Sequence, residues 1–566
     1  MVLAMGNIVE LNTANCKNCY RCIRECPIKA IRFHNDRASI LESECIECGI
    51  CVEVCPQTTR RVRNDTAAVK QLLLEEKPVY LSLAPSWVGW YEGVAFSRIS
   101  AALKRLGFAG VEETAIGAAE SSREYARLIE EGQMENIFVT ACASAVMLVE
   151  RHYPELIDML APVSSPMMAH ARMMRETYGE IRVVFAGPCI SKMNETGDAL
   201  AGGLVNNAIT FTALDEWLAE EGVGLYEEDA AAAGVARPIA RLYPKPGGIL
   251  ATVPVQTKGY ARIAVDGLYR CVELLNTFRQ ERPKGYFIEM NICPGGCVGG
   301  PVFRLTGKNS LLTQRHVTAE RMPQDERPAP DAGLQLPHPR VFANRGLKRE
   351  APSEQDILRI LSRIGKYTAE QELNCGGCGY KTCREKAAAV YFGKADINMC
   401  LPFFRERAEN MSNIVLEHSP NAIFVLDKSL LVQELNPRAE AILQEKRAQA
   451  IGLPVSLFYG DGGFERAVSD KTVTQKLNVP EYNRTYEQTI TYIPEHKSFI
   501  VLLKDITEDE SREQALDEMR SHTVDIAQKV IEKQMRVAQE IASLLGETTA
   551  ETKVALTNLK KSMTNL

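Results

Sequence analysis

Two short runs near the start of the chain, CKNCYRCIRECP at 16–27 and CIECGICVEVCP at 45–56, share one spacing, C-x2-C-x2-C-x3-C-P. In this pattern three cysteines of one run hold a [4Fe-4S] cube together with the fourth cysteine of the other run. Cys16, Cys19, Cys22 and Cys55 form one expected ligand set, and Cys45, Cys48, Cys51 and Cys26 form the second. The duplicated spacing disfavours a pair of zinc sites or disulfides. Two low-potential cubes side by side make an electron conduit.

Length and composition bound the rest. A chain of 566 residues predicts about four domains. A 45% apolar content is ample for several cores, and a net charge of -6 gives no sign of a nucleic-acid partner. No basic, then apolar, leader opens the chain, and no run approaches the ~18 apolar residues of a membrane span. A cytoplasmic protein is expected. Its 17 cysteines fall in tight groups, which in such a chain points to metal rather than to disulfides.

Three further groups remain. NCGGCGYKTC supplies Cys375, Cys378 and Cys383, and Cys400 follows, giving C-x2-C-x4-C-x16-C. Glycines between these thiols let backbone amides face the sulfurs; four thiolates also fit structural zinc. Cys142, Cys189, Cys271, Cys293 and Cys297 are dispersed, and four of the five are enough for another cube. In ICPGGCVGGP, at 292–301, two of them flank a turn with almost no side-chain bulk, where backbone can approach closely.

These segments resemble the three signature stretches of the [FeFe]-hydrogenase catalytic domain, usually TSCCPxW, MPCxxKxxE and ExMACPGGCxxGGG. Here they read TACAS at 140–144, GPCISKMNE at 187–195 and EMNICPGGCVGGP at 289–301, with LAPSW at 83–87 and YPEL at 153–156 matching the surroundings. The resemblance extends over about residues 1–345. It implies that Cys142, Cys189, Cys293 and Cys297 hold a [4Fe-4S] cube and that the Cys297 thiolate bridges to a two-iron unit with CO and CN ligands, for which the glycines leave room. Together the two parts form the H-cluster. Four cubes then use sixteen of the 17 cysteines, leaving Cys271 as a small core residue. The 375–400 group similarly resembles the small four-cysteine iron-sulfur domain of anaerobic redox proteins.

By the same resemblance Lys192 anchors a cyanide of the two-iron unit and Glu195 touches the same region, a plain salt-bridge partner being the alternative. Gly187 and Asn291 stand where the family has methionines, which alters the surroundings of the cluster. Ala141 is the sharpest departure. The family has there a cysteine that relays protons, and a methyl group cannot do so. Ala161 and Ser121 replace two further relay positions, a serine and a glutamate. The resemblance thus implies slow hydrogen chemistry, unless a relay runs elsewhere.

Residues 323–341, rich in Pro and charge, read as a linker. From about 408 the pattern is helix, strand, turn, strand and a helix at NPRAEAIL, closing with the strand KSFIVLLKDIT. This order resembles a PAS domain, the sensory and dimerising module. His418 reads as a surface or core histidine. From 507 onward, Ile526, Val530, Ile531, Met535, Val537, Ile541 and Leu544 recur at three and four spacing, as in a coiled output helix. His522 lacks the context of a phosphoacceptor.

The expected fold is therefore multidomain, α+β and α/β. It comprises a ferredoxin-like 2x[4Fe-4S] domain (1–60), an [FeFe]-hydrogenase catalytic domain (61–345), a four-cysteine [4Fe-4S] domain (346–405), a PAS domain (406–506) and a helical segment (507–566). The expected function is that of an anaerobic, sensory hydrogenase. It binds and slowly oxidises or forms H2 and passes redox state through its cubes to the PAS and helix output. Expected partners are H2 and protons, a ferredoxin-type carrier, maturation proteins, a separate kinase or phosphatase, and a second copy of the chain. The alternatives are a metabolic, ferredoxin-linked hydrogenase and a redox sensor without the two-iron unit.

Overall fold

The computed structural model describes residues 8–12, 15–198, 203–225, 239–253, 259–319, 340–347, 350–457, 462–479, 484–545 and 550–564. The described chain divides into two compact units, Met1–Phe403 and Phe404–Leu566. Most of the expected linker, 323–339, lies outside the described residues.

The first unit opens with β1 (Val9–Leu11), β2 (Ile31–His34), β3 (Arg37–Ile40) and β4 (Arg60–Val62). β1 pairs antiparallel with β4, and β2 with β3, so the two cysteine runs lie in the connections of two small ribbons. Such ribbons bury little apolar surface, and the few buried side chains here include Ile23, Ile31 and Phe33.

β5 (Val79–Leu83), β6 (Gly110–Glu113), β7 (Asn136–Phe138), β8 (Arg182–Gly187), β9 (Asn207–Thr210), β10 (Ala261–Asp266) and β11 (Tyr286–Asn291) follow. They form two parallel sheets, ordered β6-β5-β8-β9 and β10-β11-β7. Helices between the strands cover both faces, which is why VVFAG in β8 and FIEMN in β11 are buried along their length. Each buried Val, Ile or Phe there adds about 1.5–3 kcal/mol. In open parallel sheets the loops beyond the carboxyl ends of the strands build the binding crevice. LAPSW follows β5, Cys142 follows β7, Cys189 follows β8, and Cys293 and Cys297 follow β11. Topology thus gathers motifs more than 200 residues apart in the sequence.

The four-cysteine segment contributes helices Glu354–Ser362 and Cys383–Tyr391, the first opened by a capping box between Ser353 and Asp356. It packs on the ferredoxin-like segment. The Lys29 ammonium donates to the carbonyls of Ile23 (2.8 Å) and Gly379 (3.0 Å), and the Phe33 amide donates to the Lys394 carbonyl (2.8 Å). Tyr380 is buried in the same small core as Ile23 and Phe33.

The second unit holds β12 (Ala422–Asp427), β13 (Val432–Leu435), β14 (Thr472–Val479), β15 (Arg484–Ile493) and β16 (Ser498–Asp505). They form one antiparallel sheet ordered β13-β12-β16-β15-β14. Alternation of buried and half-buried residues along β12 and β16 gives the sheet one core face. Asn436 caps helix Pro437–Leu443 by accepting from the Ala439 amide (2.9 Å). The expected single C-terminal helix is two, Thr507–Leu545 and Ala550–Thr564; residues 546–549 lie outside the described ones.

Candidate functional site

Cys142, Cys189, Cys293 and Cys297 line one cavity of about 400 Å³. Cys142 is the N-cap of helix Ala143–His152, Cys189 follows the end of β8, and Cys293 and Cys297 bracket the Pro-Gly-Gly turn. Cys48 lines the same cavity, so the ferredoxin-like segment abuts this quartet directly. A second, larger cavity of about 680 Å³ adjoins it and shares Cys142, Cys189 and Cys297. Its wall is largely apolar, with Ala84, Ala141 and Phe185, and it also includes Lys192 and Thr114.

The glycines of the turn serve the backbone. A β-carbon on Gly299 would stand 1.9 Å from the Pro294 carbonyl oxygen, and one on Gly296, at φ +74, 2.3 Å from that of Pro244. The space these glycines free is therefore taken by other parts of the chain. This corrects the expectation that they leave room for a bound group: they let the loop fold tightly enough to put both sulfurs on one wall.

Two other quartets are likewise gathered. Cys16, Cys19, Cys22 and Cys55 line a cavity of about 400 Å³, and Cys375, Cys378, Cys383 and Cys400 one of about 360 Å³. Cys26 lies close enough to Cys45, Cys48 and Cys51 to raise the pKa of all three, after burial itself. Among the described residues no three His, Cys, Asp or Glu side chains close on a single ion. Each quartet lines a cavity instead, and soft thiol donors around such a space suit an iron-sulfur cube.

Electrostatics agree with that donor set. Burial, then the neighbouring thiols of Cys189 and Cys142, pushes the Cys297 and Cys293 thiols well above the ordinary range. Four adjacent thiolates are stable in such a place only against a cationic centre. Cys271 stands apart, fully buried beneath the Asn291 carbonyl (3.6 Å), and burial pushes its thiol up to about 12. It packs as a core residue.

Lys192 reaches the large cavity from helix Ser191–Glu195 and pairs with the Glu195 carboxylate. Burial raises the Glu195 pKa, but Lys192 and then Arg340 outweigh it and hold the carboxyl below its usual value. Glu195 therefore fixes the lysine. Arg340 lies 3.1 Å from the other Glu195 oxygen and donates to the Thr140 carbonyl (3.2 Å). The expected linker thus ends before this residue, whose buried side chain closes over the site. A lone arginine after a Pro-rich stretch carries no spacing signal that marks such a role.

The three relay substitutions fare differently. Ala141 lines the large cavity. Ala161 is fully buried, its carbonyl accepting from the Thr140 hydroxyl (3.2 Å). Ser121 donates to the Gly117 and Ser164 carbonyls, both at 3.1 Å, and is absorbed by backbone. Asn291 lines both cavities and donates to Glu289 (2.8 Å). Glu289 also accepts from the Gly247, Ile249 and Leu250 amides, and burial raises its carboxyl to about 7.

Comparison with known proteins follows the same divisions. Residues 77–301 match the family described as iron only hydrogenase large subunit, C-terminal domain. Residues 8–56 match a 4Fe-4S dicluster domain, and residues 371–402 a family described by an Fe-S cluster. No curated protein matches the chain. Similar solved structures include the [FeFe]-hydrogenase HydA1 from Chlamydomonas reinhardtii. One glutamate variant shares 17% identity over 47% of this chain and 90% of that one, at a TM-score of 0.37. An apo cysteine variant shares 18% over the same fractions, also at 0.37. The PAS domain of nitrogen regulation protein NR(II) from Vibrio parahaemolyticus shares 16% identity over 17% of this chain and 98% of that one, at 0.16. The chain thus carries a hydrogenase domain of the iron-only family, preceded by a 4Fe-4S dicluster domain and followed by an Fe-S domain.

Proposed function

We propose that this protein is a sensory hydrogenase of low turnover, which oxidises or forms H2 and reports redox state to its C-terminal unit. The carrying observation is that Cys297 lines both adjoining cavities, one ringed by four thiols and one largely apolar with a single lysine. A cube fits the first, and a two-iron CO/CN unit bridged through Cys297 fits the second. When bound, that unit supplies the metal chemistry of H2 cleavage and formation.

The protein's own part is positional and electrostatic. Glu195 and Arg340 fix Lys192 so that its ammonium can donate to an anionic ligand in the cavity. Ala84, Ala141 and Phe185 keep the walls dry. Cys48 beside the thiol quartet offers an electron exit into the cube assigned to Cys26, Cys45, Cys48 and Cys51. The Cys16 and Cys375 groups extend that path, toward a ferredoxin-type carrier and toward the chain's C-terminal part. The methyl of Ala141 supports the slow, sensory reading, because the relay thiol is gone from the wall.

The second unit supports the output role. Its antiparallel sheet with short helices has the element order expected of a PAS domain, and it contains no cysteine. On helix Thr507–Leu545, Ile526, Val530, Val537 and Ile541 are exposed, a face suited to a second copy or to a separate kinase or phosphatase. No described helix is long and apolar enough to cross a membrane; a cytoplasmic location is part of this proposal.

Infrared spectroscopy of maturated, anaerobic protein tests the reading. CO and CN bands that respond to H2 are expected; iron-sulfur absorption without them would leave the redox sensor lacking the two-iron unit.

A further inference from the structure

The large cavity has lost its thiol at Ala141, yet another part of its wall carries a hydroxyl that leads outward. Thr114, at the end of β6, lines the cavity and is buried. Its Oγ1 is 2.6 Å from Ser82 Oγ, and Ser82 Oγ is 2.8 Å from His170 Nδ1. On the far side of the ring, His170 Nε2 is 3.1 Å from Glu112 Oε2. The Tyr178 hydroxyl then donates to the other Glu112 oxygen. Ser82 and His170 are fully buried, whereas the Glu112 side chain is 26% exposed and Tyr178 43%.

We infer that Thr114, Ser82, His170 and Glu112 form a proton path between the hydrogen site and solvent, standing in for the relay that Ala141 interrupts. This inference rests on the proposed H2 chemistry of the cavity. Every link has a group that both accepts and releases a proton. For delivery, a protonated Glu112 gives its proton to His170 Nε2. His170 releases one from Nδ1 to Ser82 Oγ, Ser82 passes its own to Thr114 Oγ1, and Thr114 releases one into the cavity. No electron moves along the path, and reversing each hop carries a proton out. An imidazole bound through both nitrogens is suited to this, because it takes a proton at one and yields it at the other.

A purely structural role explains the network less well. A buried histidine, serine and threonine in the core of a parallel sheet cost more than apolar residues of the same size would. A second hydroxyl group on the same wall gives the contrast. Tyr243 contacts Ser122 (2.8 Å), Ser122 contacts Thr252 (2.9 Å), and Thr252 donates to the Ile249 carbonyl (2.8 Å). That chain ends on buried backbone, whereas the His170 chain ends at the surface. The path also agrees with low turnover. Two hydroxyls nearest the site hold no mobile proton at neutral pH, so they conduct only in concert, unlike a thiol with a pKa near ~8.5.

The test uses full-length, maturated protein, with assembled sites counted from the CO and CN bands. Ser82→Ala and Glu112→Gln should keep those bands but lower H2 turnover per assembled site at least ~10-fold, the low edge of what a positioned acid-base group contributes. The H2O/D2O rate ratio should rise, and the bands should take at least ~10-fold longer to reach new positions after a pH step. Thr114→Val should behave alike and Thr114→Ser should recover most of the loss, which a packing defect would not allow. Glu112→Gln lies at the surface end and keeps the assay valid if a core variant misfolds. Unchanged rates, isotope ratios and band response in Ser82→Ala and Glu112→Gln, with the wild-type bands present, would overturn the path while leaving the hydrogenase reading intact. Slowing that follows Ser122→Ala instead would do the same. Wild-type protein without CO and CN bands would overturn the hydrogenase reading and the path together.

Discussion

Ala141 and Gly299 show how much one missing side chain decides here. Ala141→Cys puts a thiol on the wall of the large cavity. Because Ala161 and Ser121 remain and Ser121 is held by two carbonyls, recovery should be partial, well short of ~10²–10⁴-fold. H2 turnover per assembled site in wild type and variant measures it; wild-type turnover like that of fast metabolic hydrogenases would remove the sensory argument. Gly299→Ala drives a β-carbon into the Pro294 carbonyl. The loop must shift at a cost of about 1–3 kcal/mol, and Cys297 with it. Reduced iron content and a lower melting temperature are expected together. Cys297→Ser should abolish the CO and CN bands while sparing ferredoxin-type absorption, and survival of the bands would reassign the bridging thiolate.

Among the elements, the loops at the carboxyl ends of β5, β6, β7, β8 and β11 do the gathering, and their strands are legible because they are continuous apolar runs. The element order of the second unit was legible for local reasons as well. Asn436 accepts from the Ile423 and Ala439 amides (both 2.9 Å) and donates to the Leu416 (3.0 Å) and Asn421 (2.9 Å) carbonyls. Asp505 accepts from the Thr507 hydroxyl (2.6 Å) and amide (3.1 Å), starting the long helix directly after β16. Asn436→Ala should therefore cost about 2–4 kcal/mol, since it strands several buried partners. Faster hydrogen exchange through β12 and at the start of helix Pro437–Leu443 is the expected signature; exchange unchanged there would mean that water replaces the side chain.

For the full chain, removal of everything after about residue 405 should leave H2 turnover within a few-fold, because no expected ligand lies beyond Cys400. It should abolish any effect of H2 on a signalling partner. A large loss of iron on truncation would instead make the second unit structural. Cysteine spacing was enough to specify the ferredoxin-like and four-cysteine segments, because their ligands are close in sequence and short loops leave few ways to arrange them. Order and motif were enough to nominate Cys142, Cys189, Cys293, Cys297 and Lys192. Arg340 over Glu195 and the Thr114–Ser82–His170–Glu112 chain had no such signal. Their members come from strands and helices far apart in the chain, and each alone reads as an ordinary core or surface residue. Only the pairing of β5 with β6, and the packing of helix Pro166–Tyr178 beside them, puts those polar atoms within hydrogen-bond reach.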